Sequence, residues 1–161
     1  MIEVKILVVS DTHSINKNFI EEIKDREKPD LLFHLGDYVQ DGLTIAEALQ
    51  VSHVIVRGNG DHPSLGFKEE EIVEIKGKRI YLTHGHKLRV SENINKIYYR
   101  GKELDADIVL FGHTHVPIIK KLDDIIIMNP GSPSFPRGHL NKKTFAMIEI
   151  DKEIKVKHIE I

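Results

Sequence analysis

The chain has 161 residues, a formal net charge of −2 with acids and bases interspersed, and no cysteine. That length predicts about one domain, able to bury roughly 70% of its unfolded surface without staples. The missing thiols exclude disulfides and thiolate metal sites, the balanced charge argues against a surface dedicated to nucleic-acid backbones, and no apolar run approaches the ~20 residues of a membrane span.

Val4 to Val9 is an almost continuous apolar run, the pattern of a buried strand in a parallel sheet. The stretch Met1 to Ser10 is too short for a signal peptide and lacks a cleavage site, so a cytoplasmic location is the expectation. The run ends at Asp11-Thr12-His13. A helix is expected from about Asn16 to Glu27, with Phe19, Ile20 and Ile23 on one face and Pro29 closing it. Asp30 to Leu35 reads as a second buried strand, ending at Gly36-Asp37. A shorter helix near Leu43 to Gln50 leads to a third strand, Val51 to Val56, which runs into Gly58-Asn59-Gly60-Asp61-His62.

The pattern then changes. Glu71 to Lys76 alternates, Gly77-Lys78 is a turn, and Arg79 to Thr83 returns as the second arm of a hairpin, ending at His84-Gly85-His86. A third helix is expected over Ser91 to Glu103, with Ser91 as N-cap and Gly101 costing its last turn ~1 kcal/mol. Ile108 to Phe111, Val116 to Leu122 and Ile125 to Met128 follow as strands, with a turn at Asp123-Asp124. Asn129 to Leu140 is a Pro/Gly/Ser-rich loop, and Thr144 to Ile150 and Ile154 to Ile161 close the chain on either side of Asp151-Lys152. With no repeat and no linker, residues 1–161 predict a single α/β domain of two mixed sheets between helix layers.

Between two of those strands lies Gly112-His113-Thr114-His115. In extended backbone residues i and i+2 face the same way, so His113 and His115 can address one target, and imidazole is the commonest metal ligand. Such a pair is weak evidence alone. Its weight comes from Asp11, Asp37, Asn59 and His84, each of which also follows an apolar run. In open α/β sheets ligands bind beyond the carboxyl ends of the strands, so these residues are expected to converge on one edge. Carboxylate, imidazole and amide donors suit Mn, Fe, Zn, Ni or Co rather than Ca. They outnumber the needs of one tetrahedral ion; two ions roughly 3.5–4 Å apart, bridged by a carboxylate, fit better.

Asp11-x-His13, Gly36-Asp37, Gly58-Asn59-x-Asp61, His84-Gly85-His86 and Gly112-His113-x-His115 resemble the signature of the calcineurin-like metallophosphoesterases over about two-thirds of the chain. The short length, Asn129-Pro130-Gly131-Ser132 and Leu82-Thr83-His84-Gly85-His86 resemble the small YfcE-like phosphodiesterase branch. The resemblance implies a four-layer αββα sandwich with two mixed β-sheets. It also implies two divalent ions, manganese first, with nickel, zinc, iron or cobalt as alternatives. One would be held by Asp11, His13, Asp37 and His115, the other by Asp37 as bridge, Asn59, His84 and His113. The implied activity is hydrolysis of a small phosphodiester by a hydroxide generated between the metals, with Asp37 and Asn59 in the catalytic centre. Larger members carry a histidine after the Asn, viewed as protonating the leaving group; here that position is Gly60. His62 and His86 are the candidates to take its place, with metal-bound water as the other route, and a missing acid predicts a preference for activated leaving groups.

Other residues read more plainly. His34 lies inside an apolar strand and is expected to be hydrogen-bonded in the core, while His53, His139 and His158 are expected at the surface. Asp61 is either a loop acid or a partner to a ligating imidazole. Arg57 suits an ion pair, and Arg137 is a weak candidate for clamping substrate. The competing class is a binding scaffold on the same fold, as in the retromer subunit that resembles this family with an impaired site. An amidohydrolase barrel needs ~250 residues, and the metallo-β-lactamase pattern is absent because Lys87-Leu88-Arg89 follows His86. The partner expected is a small phosphoester, with no membrane partner and a homo-oligomer left open by the terminal hairpin edge.

Overall fold

The apolar run of β1 (Val4–Val9) lies at the centre of a five-stranded sheet in a computed structural model that describes residues 2–15 and 17–161. Parallel to it runs β2 (Leu31–His34), and parallel to that β3 (Ser52–Ile55). On its other side β9 (Thr144–Ile150) and β10 (Ile154–Glu160) add antiparallel, giving the order β10-β9-β1-β2-β3. The second sheet joins the expected hairpin, β4 (Glu70–Ile75) and β5 (Lys78–Thr83), to β6 (Ile108–Leu110), β8 (Ile125–Asn129) and β7 (Ile118–Leu122), in the order β4-β5-β6-β8-β7. Both sheets are mixed, as expected.

Three apolar layers hold these sheets and their helices together. Between the sheets, Ile6, Val8, Phe33 and Leu35 meet Ile80, Leu82, Ile108, Leu110 and Met128. On the outer face of the first sheet, Phe19 and Ile23 of α1 (Lys17–Lys24) and Ile45, Ala46 and Leu49 of α2 (Val39–Leu49) pack on Leu7, Val9, Leu32 and Phe145. On the outer face of the second, Ile97 of α3 (Asn95–Glu103) packs with Tyr81, Val109 and Ile127. Strands buried on both faces explain their near-continuous apolar runs. The layers are therefore helix, sheet, sheet, helix. Among the described residues no helix is long and apolar enough to cross a membrane.

Some boundaries differ from expectation. The first helix ends at Lys24 rather than Glu27, and its expected start at Asn16 lies outside the described residues. Helix α3 begins at Asn95, not Ser91, because the chain turns at Arg89 (φ 54°) and Asn93 Oδ1 accepts from the Asn95 amide at 3.0 Å. Strand β7 starts after Pro117, which has no amide hydrogen to give a ladder. Gly101 sits inside α3 against β6: a Cβ there would stand 2.6 Å from Val109 Cγ2, so the glycine permits the helix to approach the sheet.

Candidate metal centre

Five of the parallel strands are followed by a candidate donor. Asp11 follows β1, Asp37 follows β2, Asn59 follows β3, His84 follows β5, and His113 and His115 follow β6. Because the two sheets face each other, the first three come from one side and the last three from the other. Asp11, His13 and His115 form one group whose donor atoms lie within 4.8 Å of one another, and Asp11, Asp37 and His84 form a second. Asn59 Oδ1 and His113 Nδ1 approach to 3.1 Å. All seven sequence candidates for metal ligation are thus brought to one place.

Their orientation is fixed from behind. His84 Nδ1 lies 2.7 Å from the Leu35 carbonyl and His115 Nδ1 lies 2.6 Å from the Phe135 carbonyl. A carbonyl only accepts, so each Nδ1 carries the hydrogen and each Nε2 turns a lone pair inward, as ligating histidines do. Asp11 Oδ2 accepts from the Ser10 hydroxyl at 2.7 Å and from the His113 amide at 2.9 Å. Its Oδ1 then faces His115 Nε2 at 3.3 Å and His84 Nε2 at 3.8 Å. Asp37 directs Oδ1 toward His84 Nε2 at 3.5 Å and Oδ2 toward His13 Nε2 at 4.0 Å. Asp11 Oδ1 and His84 Nε2 are buried without a hydrogen-bond partner. Orphaned buried donors and acceptors are costly, and a cation between them would satisfy both, so the residues present fit a divalent metal.

The backbone is bent to achieve this. Asp11, His13, Asp37, His113 and His115 all adopt positive φ, between 45° and 69°. Each such residue costs of order 1–3 kcal/mol unless its surroundings dictate it, and such residues gather at functional sites. Gly112 is needed for proximity: a Cβ there would collide with Ser10 Oγ and crowd Asp11 Oδ2.

Burial and charge shape the titration of these groups. Burial raises the Asp11 carboxyl, but His115, His84 and Ser10 outweigh it and hold it below the usual carboxylate range. Burial pulls His115 down, yet Asp11 and the Phe135 carbonyl keep it above the ordinary imidazole value. Burial and the neighbouring His84 depress both His86 and His113.

The two leaving-group candidates differ in surroundings. His86 has its ring centre 5.4 Å from that of His84 and 6.2 Å from that of His113, and its buried Nδ1 has no partner. His62 is exposed, its Nδ1 accepting from the Ser64 amide at 3.1 Å and meeting the Ser64 hydroxyl at 2.7 Å. It lines a separate cavity with Tyr38, Gly60, Asp61 and Leu65.

Asp61 is buried, and its carboxylate accepts from the backbone amides of Asp37, Tyr38, Val39 and Gly58, at 2.8–3.0 Å. It is therefore a clamp on the loop that carries Asp37 rather than a partner to an imidazole. Arg57 pairs with Glu69 at 2.6 Å, as expected. His53 and His139 are exposed, whereas His158 is half-buried with Nε2 2.7 Å from the Asn129 carbonyl, because it stands opposite Ala146, which packs between the two sheets.

Residues that sequence reasoning passed over complete the site. Asn129 Nδ2 donates to the Gly112 carbonyl and to Thr114 Oγ1, bracing the histidine loop. Ser132 Oγ donates to the Asp11 carbonyl at 2.8 Å and accepts from the Phe135 amide at 2.9 Å. The Asn129-Pro130-Gly131-Ser132 segment was the visible signal for both. The rings of Tyr38 and Phe135 flank His13 at 5.0 and 5.5 Å.

His34 is fully buried, as expected for a core histidine: Nδ1 accepts from the Gly36 amide at 3.1 Å, so Nε2 carries the hydrogen facing Thr12 Oγ1 at 3.0 Å. A second ring proton would point at the Gly36 N–H, and burial pushes the imidazole down to about 4. The unfolded chain, titrating near 6.5, then binds the extra proton first, so stability holds above ~6.5 and falls as the pH drops toward 4. The expected loss is about 3 kcal/mol. Denaturant titrations of wild type and H34Q across this range should diverge by that slope; parallel curves would refute it.

The family follows from likeness to known proteins. The model of the calcineurin-like phosphoesterase superfamily domain matches residues 4–153. The chain belongs to the calcineurin-like phosphoesterase superfamily. Within it, phosphodiesterase MJ0936 of Methanocaldococcus jannaschii is 31% identical over 145 residues, covering 79% of this chain and 82% of that protein. A Streptococcus pneumoniae TIGR4 protein described as a predicted phosphoesterase is 34% identical, superposing with a TM-score of 0.83 over 99% of this chain and 91% of its own. A single mutant of Vps29 from Entamoeba histolytica superposes with a TM-score of 0.79 at 22% identity, over 98% of this chain and 99% of its own, a likeness of fold alone. The superfamily binds divalent metals, and this chain carries candidate ligand groups for them.

Proposed function

We propose that this metallophosphoesterase is a cytoplasmic phosphodiesterase that hydrolyses small phosphodiesters at two divalent ions, manganese first. Asp11, His13, Asp37 and His115 would hold one ion, and Asp37, Asn59, His84 and His113 the other. The observation that carries the proposal is the Asp37 carboxylate, which offers one oxygen to His84 and the other to His13. Bound there, the ions would supply a water ionised near neutral pH and neutralise the phosphate oxygens.

The chain's own residues set the charge and direction of the site. Two carboxylates against two divalent ions leave a positive centre, and the neutral Asn59 preserves it, which favours an anionic ester. Gly60 contributes its amide, not a side chain, donating to Asp37 Oδ1 at 2.8 Å and fixing that oxygen toward the centre. His86 stands beside His84 and His113 and is the better-sited group for the leaving oxygen. Burial and the neighbouring His84 hold its imidazole below the ordinary value, in keeping with a preference for activated leaving groups.

The proposal is tested by stripping the protein of metal and adding back manganese, nickel, zinc or magnesium. Hydrolysis of bis(p-nitrophenyl) phosphate should appear only with metal, alongside a rise in Tm from ligand binding to the folded state. A protein that takes up metal without hydrolysing any diester would favour the scaffold reading. H86A should slow an alkyl diester about 10²-fold while costing a nitrophenyl ester far less. Equal losses on both substrates would remove His86 from leaving-group chemistry.

A further inference from the structure

Beside His13 and His115 lies a cavity of about 620 Å³, its wall completed by loop residues that include Ser134, Phe135, Arg137, Asn141 and Lys143. The reacting phosphoryl group needs only the space over the donors, whereas a cavity of 300–1,000 Å³ accommodates a larger organic group. No carboxylate lines it. Lys142, outside this cavity, is neutralised by Glu160 at 2.9 Å. Arg137 and Lys143 have no ion-pair partner among the described residues. In a chain of net charge −2, two such cations lining one cavity favour an anion there.

Its aromatic side is equally specific. Phe135 is 57% exposed, yet its backbone is held at both ends, the amide by Ser132 Oγ and the carbonyl by His115 Nδ1. An exposed ring on anchored backbone next to a candidate ligand offers a face for stacking, and bases stack on aromatic faces whatever their identity.

We infer that this cavity binds a nucleotide as the retained side of the substrate, across the centre from His86, its base on Phe135 and its second phosphate between Arg137 and Lys143. The inference rests on the phosphodiesterase reading and names its substrate class: a dinucleotide bearing a 5′-terminal phosphate. Asn141 and Ser134 add neutral hydrogen-bonding groups around the same phosphate. Hydrolysis forms one bond from water oxygen to phosphorus and breaks the bond to the 5′ oxygen of the second nucleoside. The freed 5′ oxygen takes the proton, and the products are a nucleoside 3′,5′-bisphosphate and a nucleoside.

The test compares an adenosine dinucleotide carrying the 5′-terminal phosphate with the same compound lacking it. On manganese-loaded protein, kcat/KM is measured for both, and Kd for their methylphosphonate-linked analogues, which are not hydrolysed. Wild type should favour the phosphorylated member by about tenfold or more in both readouts, the usual effect of charge-assisted hydrogen bonds. R137A and K143A should each erase most of that ratio, and F135L should weaken both analogues alike. A ratio near one in wild type, or a ratio that survives both substitutions, overturns the inference while hydrolysis of bis(p-nitrophenyl) phosphate leaves the phosphodiesterase reading standing. Phosphate-dependent binding that R137A abolishes, without hydrolysis of any ester, upholds the subsite and overturns the phosphodiesterase reading.

Discussion

Replacing Asp37 by Asn should empty the metal centre and lower turnover by at least 10²–10³-fold, the scale on which loss of one preorganised electrostatic group acts. The isosteric amide keeps one oxygen, which can still accept from Gly60, so the loop has no reason to move. What it loses is the second anionic oxygen and half the negative charge that Asp11 and Asp37 jointly present. The amide N–H₂ would then take the place of Oδ2 facing His13, where it has no lone pair to give a metal. The checks are metal content after gel filtration and diester hydrolysis at saturating manganese. Wild-type metal content and rate in D37N would remove Asp37 from the bridging role.

Asp61→Ala should do the opposite, damaging stability before chemistry. It strands four backbone amides at once, those of Asp37, Tyr38, Val39 and Gly58. Each buried N–H left unpaired costs about 1–3 kcal/mol, and the bonds lost are charge-assisted. Asp37 and Tyr38, at φ 59° and 70°, also lose the partner that compels those angles. Allowing for water entering the gap, the expected destabilisation is about 3–5 kcal/mol, a fall in Tm on the order of 10 °C at this size. Metal-free D37N and metal-free wild type should melt together, and D61A should melt well below both. A D61A protein melting within about 2 °C of wild type would refute the clamp.

The same residue shows where sequence reasoning stops. Helix α2 was expected from Leu43 but starts at Val39, because the side chain that bonds the amides of Tyr38 and Val39 belongs to Asp61, 22 residues beyond Val39. A cap supplied from a distant loop leaves no local signature. The convergence of the candidate donors was legible, since each sits where an apolar run stops and parallel strand ends must share an edge. Motif spacing then gave the family. Invisible in one dimension were the braces: Ser10 on Asp11, Asn129 on the Gly112–His115 loop, and Ser132 joining Asp11 to Phe135. Each is a small polar side chain whose role depends on which backbone happens to pass nearby. The left-handed angles at five of the seven donors were equally hidden, because Asp and His enter that region only when neighbours compel it.

Asp11, His13, Asp37 and Asn59 issue from one sheet, and His84, His113 and His115 from the other. Neither half carries the whole of the proposed ligand set, so on that assignment tight cation uptake should arise only after the two halves have docked face to face. With the proposed ligands, occupancy would report that final assembly step, and a bound ion would act as a rivet across the seam. Rates of metal release should therefore track the opening of the sandwich in hydrogen exchange, with the Leu35 and Phe111 amides exchanging faster once the rivets are drawn.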